Sequence, residues 1–378
     1  MPMTHRERVL AAINHKQPDR VPIDLGGTLF TTVTEAAHDH LRAYLGLPAD
    51  AVAVPTSRRS STVFPDEAIL RRLDIDLRPI AVGGPDGRPD RVVSEGAFVD
   101  EWGVTWSKVP GSHYINTDGP FYHVEEPTLQ DLEKIPWPDP ADPGRYRGLR
   151  ERAKQLSETT DYAVALTIGP GPVHLSQFMR GYGAWLEDIL LQQAFFEGLL
   201  ERITEIFAGF IDRALAETSE YVDLVAYGDD IGTQKGPLIR PALYRQLIKP
   251  RHRRLAEAVK KYHKPILYHS CGSVYAFIPD LIDLGIEILN PIQVGAAEMD
   301  TKRLKREFGR DLCFWGGIDI QQVLPFGTPQ QVREEVKHRI DDLGNGGGYV
   351  VCPSHNLQPE VPPQNVVAMY EAALEYGR

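Results

Sequence analysis

The sequence predicts an α/β fold, a closed (β/α)8 TIM barrel that carries an inserted β-hairpin lobe. Short apolar segments alternate along the chain with amphipathic helical stretches, and eight such units can be counted. A change of pattern between about residues 85 and 140 indicates the insertion. The length of 378 residues fits one barrel with insertions, so we expect a single domain over residues 1–378.

The eight apolar segments are the expected barrel strands. They are VPIDLGG (from Val21), IDLRPIA (Ile75), YAVALTI (Tyr162), VDLVAYG (Val222), PILYHSC (Pro265), IEILNPI (Ile286), LCFWGG (Leu312) and GYVVCP (Gly348). Near-continuous apolar strands are typical of a parallel sheet covered by helices. Thr4 and Glu7 have the spacing of a capping box, which predicts a first helix directly after Thr4.

The inserted lobe is predicted from the stretch RVVSEGAFVDEWGVTWSKV. Its apolar and polar residues alternate, and Gly96 and Gly103 interrupt it where hairpin turns would lie. The proline-rich segment IPWPDPADPG, which starts at Ile135, reads as a stiff connector back to the barrel. We therefore expect a β-lobe inserted into the barrel domain.

Composition narrows the classes of partner. The formal net charge of −11 argues against nucleic acid or an anionic membrane as the binding partner. No apolar run reaches the length of a transmembrane helix, and the N-terminus lacks a signal-peptide pattern. The three cysteines cannot form a closed disulfide framework, so free thiols or metal ligands in a cytoplasmic setting are expected.

Polar residues recur where the predicted strands end. Asp229 and Asp230 follow one strand, the His269-Ser-Cys271 tripeptide follows another, and Cys352 ends the last one. In a (β/α)8 barrel the carboxyl ends of the strands share one rim, and catalytic groups collect there. This distribution predicts the functional site at that rim.

His269, Cys271 and Cys352 are the predicted metal ligands. Alternation along a strand lets residues i and i+2 face the same way, so His269 and Cys271 can point together across the barrel mouth towards Cys352. Two thiolates and an imidazole suit Zn²⁺ and leave a fourth position open. The alternative is that all three are ordinary buried residues, which is the interpretation we give to Cys313.

Other polar residues near the rim are weaker candidates. Only one of the adjacent Asp229 and Asp230 is expected to face the site, as a fourth ligand, a general base or a substrate orienter; a helix cap with a salt bridge is the alternative. His355 could serve in acid–base chemistry or as an alternative ligand. The predicted substrate-binding residues are Gln234, Arg180 and Asn356, although a structural ion pair is the default for Arg180.

Several motifs together resemble the uroporphyrinogen decarboxylase superfamily. They are THRERVLAAINHKQPDRVPIDLGG, DEWGVTW, YGDDIGTQKGPLIRPALYRQLIKPRHRRL, HSCGSV, WGGIDIQQVLPFGTPQQVREEV and HNLQPEVPPQNVVAMYEAA, and they span nearly the whole chain. The resemblance implies the same (β/α)8 barrel. Haem-pathway members carry an early arginine-rich segment that binds substrate carboxylates, whereas the matching stretch here, VPIDLGGTLFTTVTEAAH, contains no arginine.

The resemblance therefore favours the corrinoid-dependent methyltransferase branch, which includes O-demethylase-type members. Members of that branch carry His-x-Cys and a distant Cys as zinc ligands, a pattern that His269, Cys271 and Cys352 match. The implied activity moves a methyl group between a small molecule, such as a methoxylated aromatic or a thiol, and a corrinoid (cobalamin) held by a partner protein. Whether the chain forms a homodimer is left open.

Two rival functions are kept. One is a metal-free decarboxylase of a uroporphyrinogen-like substrate. The other is a non-catalytic protein that binds a corrinoid or another ligand and has a structural zinc site. Metal analysis separates the first from the methyltransferase, and an open coordination position separates the second, because structural zinc sites are closed by four protein ligands.

Overall fold

The computed structural model describes residues 2–48 and 53–378. The strands, in chain order, are β1 (Val33–Thr34), β2 (Val54–Ser57), β3 (Thr62–Phe64), β4 (Leu77–Ala81), β5 (Arg91–Ser94), β6 (Ala97–Val99), β7 (Thr105–Lys108), β8 (Tyr114–Asp118), β9 (Ala163–Pro170), β10 (Leu224–Gly228), β11 (Gly232–Thr233), β12 (Gly236–Pro237), β13 (Ile266–His269), β14 (Ile288–Ile292), β15 (Cys313–Ile318) and β16 (Tyr349–Pro353).

The α-helices, in chain order, are α1 (His5–Ile13), α2 (Glu35–Tyr44), α3 (Glu67–Arg72), α4 (Leu129–Leu132), α5 (Leu149–Thr159), α6 (Pro172–Arg180), α7 (Tyr182–Leu191), α8 (Gln193–Thr218), α9 (Pro241–Leu243), α10 (Lys249–Lys260), α11 (Ile278–Asp283), α12 (Thr301–Phe308), α13 (Val323–Phe326), α14 (Pro329–Leu343) and α15 (Pro363–Tyr376). Helix α1 begins with the capping box formed by Thr4 and Glu7, as the sequence predicts. Within the two described ranges, none of the helices combines the length and the apolar character that crossing a membrane requires.

Seven parallel strands form the barrel sheet, in the spatial order β16-β15-β14-β13-β10-β9-β4. The two edges of this sheet are joined by the segment around Ile23. Ile23 pairs in parallel with Val351 of β16, and its carbonyl accepts a hydrogen bond from the backbone N–H of Asp76, directly before β4. The predicted α/β barrel class is therefore confirmed.

The first predicted strand, from Val21, is shorter than the sequence suggests. Only Ile23 forms a bridge, because the chain turns immediately afterwards. The carboxylate of Asp24 accepts from the backbone N–H of Gly27, and Gly26 adopts a left-handed φ of 74° in this turn. The eighth barrel position is thus filled by a short extended segment.

The barrel interior is a packed core. Alternate residues of each strand point inwards, and helix α1 covers one end of them. The members of this fully or almost fully buried interior cluster are Val9, Ala12, Ile13, Leu77, Ala163, Ala165, Leu224, Ala226, Leu267, Ile288, Cys313, Trp315, Val350 and Cys352. Because α1 closes the amino-terminal end of the strands, a ligand must enter from the carboxyl-terminal end.

The inserted lobe is a four-stranded antiparallel sheet in the order β5-β6-β7-β8, which lies inside the predicted range of 85–140. Asp100 organises one of its turns by accepting hydrogen bonds from the indole of Trp106 and from two backbone N–H groups. Trp106 packs edge-to-face on Phe178 of α6, with ring centroids 5.0 Å apart. This contact brings the lobe against the carboxyl-terminal side of the barrel. The single-domain assignment itself stays a prediction.

Asp76 connects the segments that meet where the barrel closes. Its fully buried carboxylate accepts hydrogen bonds from Arg8, Arg20 and His5 and from the backbone N–H of Ile23, at distances of 2.7 to 3.1 Å. Burial alone would raise the pKa of Asp76, but the hydrogen bond from His5 and the charge of Arg20 hold it below its ordinary value. One carboxylate therefore joins α1, the Ile23 bridge and β4.

We predict that Asp76→Asn lowers the free energy of unfolding by about 3 kcal/mol, because Arg8 and Arg20 would lose a buried counter-charge. Urea unfolding followed by circular dichroism measures this loss. The matched control is Asp74→Asn: the Asp74 side chain is 48% exposed and also binds Arg20, at 2.8 Å. Asp74→Asn should lower the free energy of unfolding by less than about 1 kcal/mol. Equal losses in both variants would contradict the role assigned to Asp76.

Candidate metal centre and substrate cavity

Three of the predicted site residues meet at the barrel mouth. His269 is the last residue of β13, Cys271 follows two residues later, and His355 follows the end of β16. One donor atom from each lies within 4.8 Å of the other two, and the Cys271 Sγ is 3.4 Å from the His269 Nε2. We call these three residues the metal cluster.

The ring orientation of His269 is fixed by Asn290 on the neighbouring strand β14. The Asn290 amide nitrogen donates to the carbonyl of Trp315, so its Oδ1 faces His269 and accepts from Nδ1 at 2.6 Å. A carbonyl oxygen can only accept, so the proton of the neutral ring lies on Nδ1 and the Nε2 lone pair faces Cys271. Burial lowers the pKa of His269 to about 4, which keeps this ring neutral at pH 7.

Cys271 and His355, the other two members of the cluster, are also uncharged when no metal is bound. Burial and then the carboxylate of Asp230 raise the pKa of the Cys271 thiol well above its ordinary value. Burial lowers the pKa of His355. The ring of Phe30 stacks on His269 at 4.2 Å between centroids, with planes 12° apart, and shields its face from water. Such a set holds a cation only once a proton leaves the thiol.

Cys352, the third predicted ligand, is not brought into the metal cluster. Its thiol is fully buried in the barrel interior and donates to the carbonyl of Pro353 at 3.2 Å. The strand period explains this placement, because Val350 and Cys352 both point to the interior core. The chain continues beyond the strand and presents His355 at the mouth. The ligand role of Cys352 stays a prediction.

The adjacent carboxylates of Asp229 and Asp230 have different surroundings, and only Asp230 lies in the wall of a cavity described below. Asp229 is buried and accepts from the His252 ring at 3.0 Å and from the backbone N–H of His174 at 2.9 Å. It thereby joins the first turn of α6 to α10. A Cβ at Gly171 would lie 2.6 Å from its carboxylate, so a larger residue is excluded there. The contacts of Asp229 are therefore structural, and its side chain does not line the cavity.

Asp230 lies next to the metal cluster. It accepts from the backbone N–H of Cys271 at 2.7 Å, and one of its oxygens lies 3.2 Å from the ring of His174. Burial alone would lower the pKa of His174, but the carboxylates of Asp230 and Asp229 raise it to about 10. The same imidazolium overrides the effect of burial on Asp230 and keeps the pKa of that carboxyl well below its ordinary value. His174 and Asp230 therefore form a charged pair at neutral pH.

The three predicted substrate-binding residues have different surroundings. Arg180 directs its guanidinium donors to Asp188 and to two backbone carbonyls, those of Phe121 and Val124. Its geometry therefore supports the structural ion pair, not a substrate contact. Gln234 bonds to the Gly295 carbonyl and to other glutamines in the rim loops. Asn356 accepts from the backbone of Thr32 and also lines the cavities described next.

Two cavities adjoin at the metal cluster. The first has a volume of about 550 Å³ and contains His269, His355 and Asp230 in its wall, opposite chain segments of the lobe. The second, of about 700 Å³, contains Cys271 and His355 together with the exposed Phe326. Residues common to both walls are Ser60, His113, His355 and Asn356. The metal cluster thus lies where two separate molecules could approach each other.

Sequence reasoning missed Asn290, the role of His174, and the aromatic residues of the first cavity. Asn290 was detectable, since it is the one polar residue within the otherwise apolar strand β14 (Ile288–Ile292). Phe30 and Trp106 were not, because they reach the cavity from distant parts of the chain.

Comparison with known proteins places the chain in a family. Residues 112–376 match the family model described as uroporphyrinogen decarboxylase (URO-D). This match covers more than half of the chain, and the chain belongs to that family, as its motifs predict.

Its relatives include both methyltransferases and decarboxylases. The chain is 25% identical to the methylcobamide:CoM methyltransferase MtaA of Methanosarcina barkeri over 54% of this chain and 56% of that protein. It is 30% identical to a methylated-thiol–coenzyme M methyltransferase of Methanosarcina mazei over 40% and 42%. The chain thus matches about half the length of these two relatives. A uroporphyrinogen decarboxylase of Alkalilimnicola ehrlichii is 20% identical over 98% and 94%.

A solved structure supports the fold. The structure of a methyltransferase from Methanosarcina mazei superposes with a TM-score of 0.67, at 19% identity and 99% coverage of both chains. At 19% identity, this structural similarity supports a shared fold and does not by itself establish a shared function.

We predict that His174 stays protonated through neutral pH and titrates near pH 10. Replacing Asp230 by Asn should lower that pKa, because Asp230 contributes most to the stabilisation of the imidazolium. Nuclear magnetic resonance of protein labelled with ¹³C-histidine, with His174→Gln to assign the signal, measures both values. Titration of His174 near pH 6.5 in the wild type would contradict the charged pair.

Proposed function

We propose that this protein is a zinc-dependent methyltransferase that moves a methyl group between a small molecule and a corrinoid carried by a partner protein. The observation that carries the proposal is the metal cluster of His269, Cys271 and His355 at the barrel mouth, between two cavities. Membership of the URO-D family and the likeness to methyltransferases acting on methylcobamide or methylated thiols support it.

The donor set fits Zn²⁺. Imidazole nitrogen and thiolate sulfur are its usual protein ligands, with bonds of about 2.0–2.3 Å. Donor atoms that already lie within 4.8 Å of one another need only small shifts to meet one ion. The hydrogen bond from His269 to Asn290 leaves Nε2 free to coordinate, as outer partners of zinc-bound histidines commonly do.

The chemistry follows from three ligands and their charges. Zn²⁺ held by His269, Cys271 and His355 would supply Lewis acidity, which would lower the pKa of a substrate thiol or hydroxyl. One thiolate and two neutral imidazoles leave a net charge of about +1, so the site favours an anionic heteroatom of the substrate. If Cys352 replaced His355, the net charge would be zero.

The surrounding residues bind and orient the substrate. Asp230 holds the backbone of Cys271 in place, and its own charge is balanced by His174. Phe30 and Trp106 provide apolar surfaces in the wall of the first cavity. In this proposal the first cavity takes the small molecule, and the second, bordered by the exposed Phe326, takes the reactive face of the corrinoid.

The decarboxylase alternative is less well supported by the cavity. A uroporphyrinogen-like substrate carries many carboxylates, each of which needs a donor or a positive charge. Arg59 is the one arginine in the wall of the first cavity among the described residues. Assays for decarboxylation of uroporphyrinogen should accordingly yield no coproporphyrinogen.

We predict about one zinc ion per chain in protein purified without chelator. His269→Ala, Cys271→Ala and His355→Ala should each lower zinc occupancy after dialysis by at least tenfold, because a three-ligand site loses an essential donor. Cys352→Ala should keep its zinc if His355 is the third ligand. Plasma emission spectrometry on folded, dialysed protein measures occupancy.

The matched control is Cys313→Ala, which removes a buried thiol of the barrel interior that lies outside the metal cluster. It should retain the wild-type zinc content. Full occupancy in the Cys271 or His269 variant would overturn the proposed site, whereas loss in Cys352→Ala but not in His355→Ala would restore the ligand set expected from the sequence.

A further inference from the structure

We propose that the methyl-bearing substrate is a small aromatic carboxylate and that Arg59 binds its carboxylate group. This inference rests on the proposed function, because it specifies the molecule that the first cavity holds. The starting observation is the guanidinium of Arg59, which lies in the wall of that cavity and forms no ion pair with any residue that the structure describes.

Arg59 lies against two aromatic rings that also contact each other. Its guanidinium carbon lies 4.8 Å from the ring centroid of Trp106, in the lobe, and 4.8 Å from that of Phe178, on α6. These two contacts with aromatic rings restrict the position of the guanidinium, and its N–H donors stay available to a ligand. All three residues line the cavity that also contains His269 and His355. The guanidinium is therefore oriented before a ligand arrives.

The donors of this guanidinium have no acceptor in the described part of the chain. Among residues 2–48 and 53–378, neither a hydrogen bond nor an ion pair engages them, and burial lowers the pKa of Arg59. The nearest influential charge is Asp100, whose carboxylate already accepts from Trp106 and from two backbone N–H groups. Arg59 is half-buried and none of its donors is sealed off from solvent, so a ligand that enters the cavity can accept hydrogen bonds from them.

Two buried arginines, Arg180 and Arg145, are paired with carboxylates inside the protein. Arg180 is paired with Asp188, and Arg145 is paired with Glu101. Both are satisfied inside the protein and lie outside the cavity wall. Arg59 differs because none of the described residues offers it a carboxylate, the planar group with two acceptor oxygens that a guanidinium binds best.

The rest of the cavity indicates what accompanies the carboxylate. Phe30, Trp106 and Phe178 present ring surfaces, and the volume of about 550 Å³ is large enough to admit a molecule with one aromatic ring. Asp230 would repel a carboxylate, but its charge is balanced by the imidazolium of His174. A methoxylated benzoate meets these requirements: its carboxylate contacts Arg59 and its methoxy oxygen reaches the metal cluster.

The test is calorimetric binding of 3-methoxybenzoate and 4-methoxybenzoate to the zinc-containing protein without any corrinoid. Their carboxamides serve as uncharged probes of the same shape. Arg59→Met should weaken binding of the better carboxylate at least tenfold and leave the carboxamide within about twofold. Arg59→Lys should fall between Arg59→Met and the wild type, because lysine keeps the charge but loses the two-point contact.

Arg58→Met is the matched control. Arg58 is the neighbouring residue and also lies over an aromatic ring, that of Phe98 at 4.7 Å, but it lies outside this cavity. The Arg58→Met protein should bind both methoxybenzoates with the same binding constants as the wild type. Thermal unfolding of each variant separates loss of the contact from loss of the fold, since Arg59 also joins the lobe to α6.

The inference is overturned if neither carboxylate binds the wild type at millimolar concentration, or if Arg59→Met and Arg58→Met bind alike. It is also overturned if carboxylate and carboxamide lose affinity equally in Arg59→Met. A second assay, methyl transfer to a reduced corrinoid, keeps the two proposals apart. Binding that depends on Arg59 without transfer would refute the methyltransferase alone, and transfer that ignores Arg59 would refute the carboxylate site alone.

Discussion

The hydrogen bond between His269 Nδ1 and Asn290 Oδ1 is the interaction on which the candidate site depends. It links β13 to β14, and the Asn290 amide is in turn set by the carbonyl of Trp315 on β15. Three adjacent barrel strands thus decide which nitrogen of one histidine carries the proton. Because the strands are rigid and buried, Nε2 is held towards Cys271 before any metal binds.

A second network surrounds the first and sets its charge. Asp229 has a structural role, because it joins α6 and α10. Asp230 faces the mouth, and its negative charge is balanced by His174. The mouth therefore combines a cluster of neutral donors with a charge-balanced pair. This arrangement suits a site that must accept a cation at its centre and an anionic substrate group at its edge.

The sequence predicts the barrel well, because apolar segments and helices repeat with clear periods, and it places His269, Cys271 and His355 near one rim. The sequence does not establish how deep in the barrel each of these side chains lies. Cys352 and His355 are only three residues apart, yet the strand period turns Cys352 into the core and the chain beyond Pro353 brings His355 to the mouth. Arg59 could not be identified from the sequence, since its position depends on Trp106 and Phe178, which are far from it in the chain.

X-ray absorption at the zinc edge tests the central claim, the ligand set, most directly. For the protein as purified, the account predicts one sulfur at about 2.3 Å and light nitrogen or oxygen neighbours at about 2.0–2.1 Å. The spectrum of Cys352→Ala should be unchanged. Two sulfur neighbours in the wild type, with one lost in Cys352→Ala, would contradict the cluster of His269, Cys271 and His355 as the zinc site.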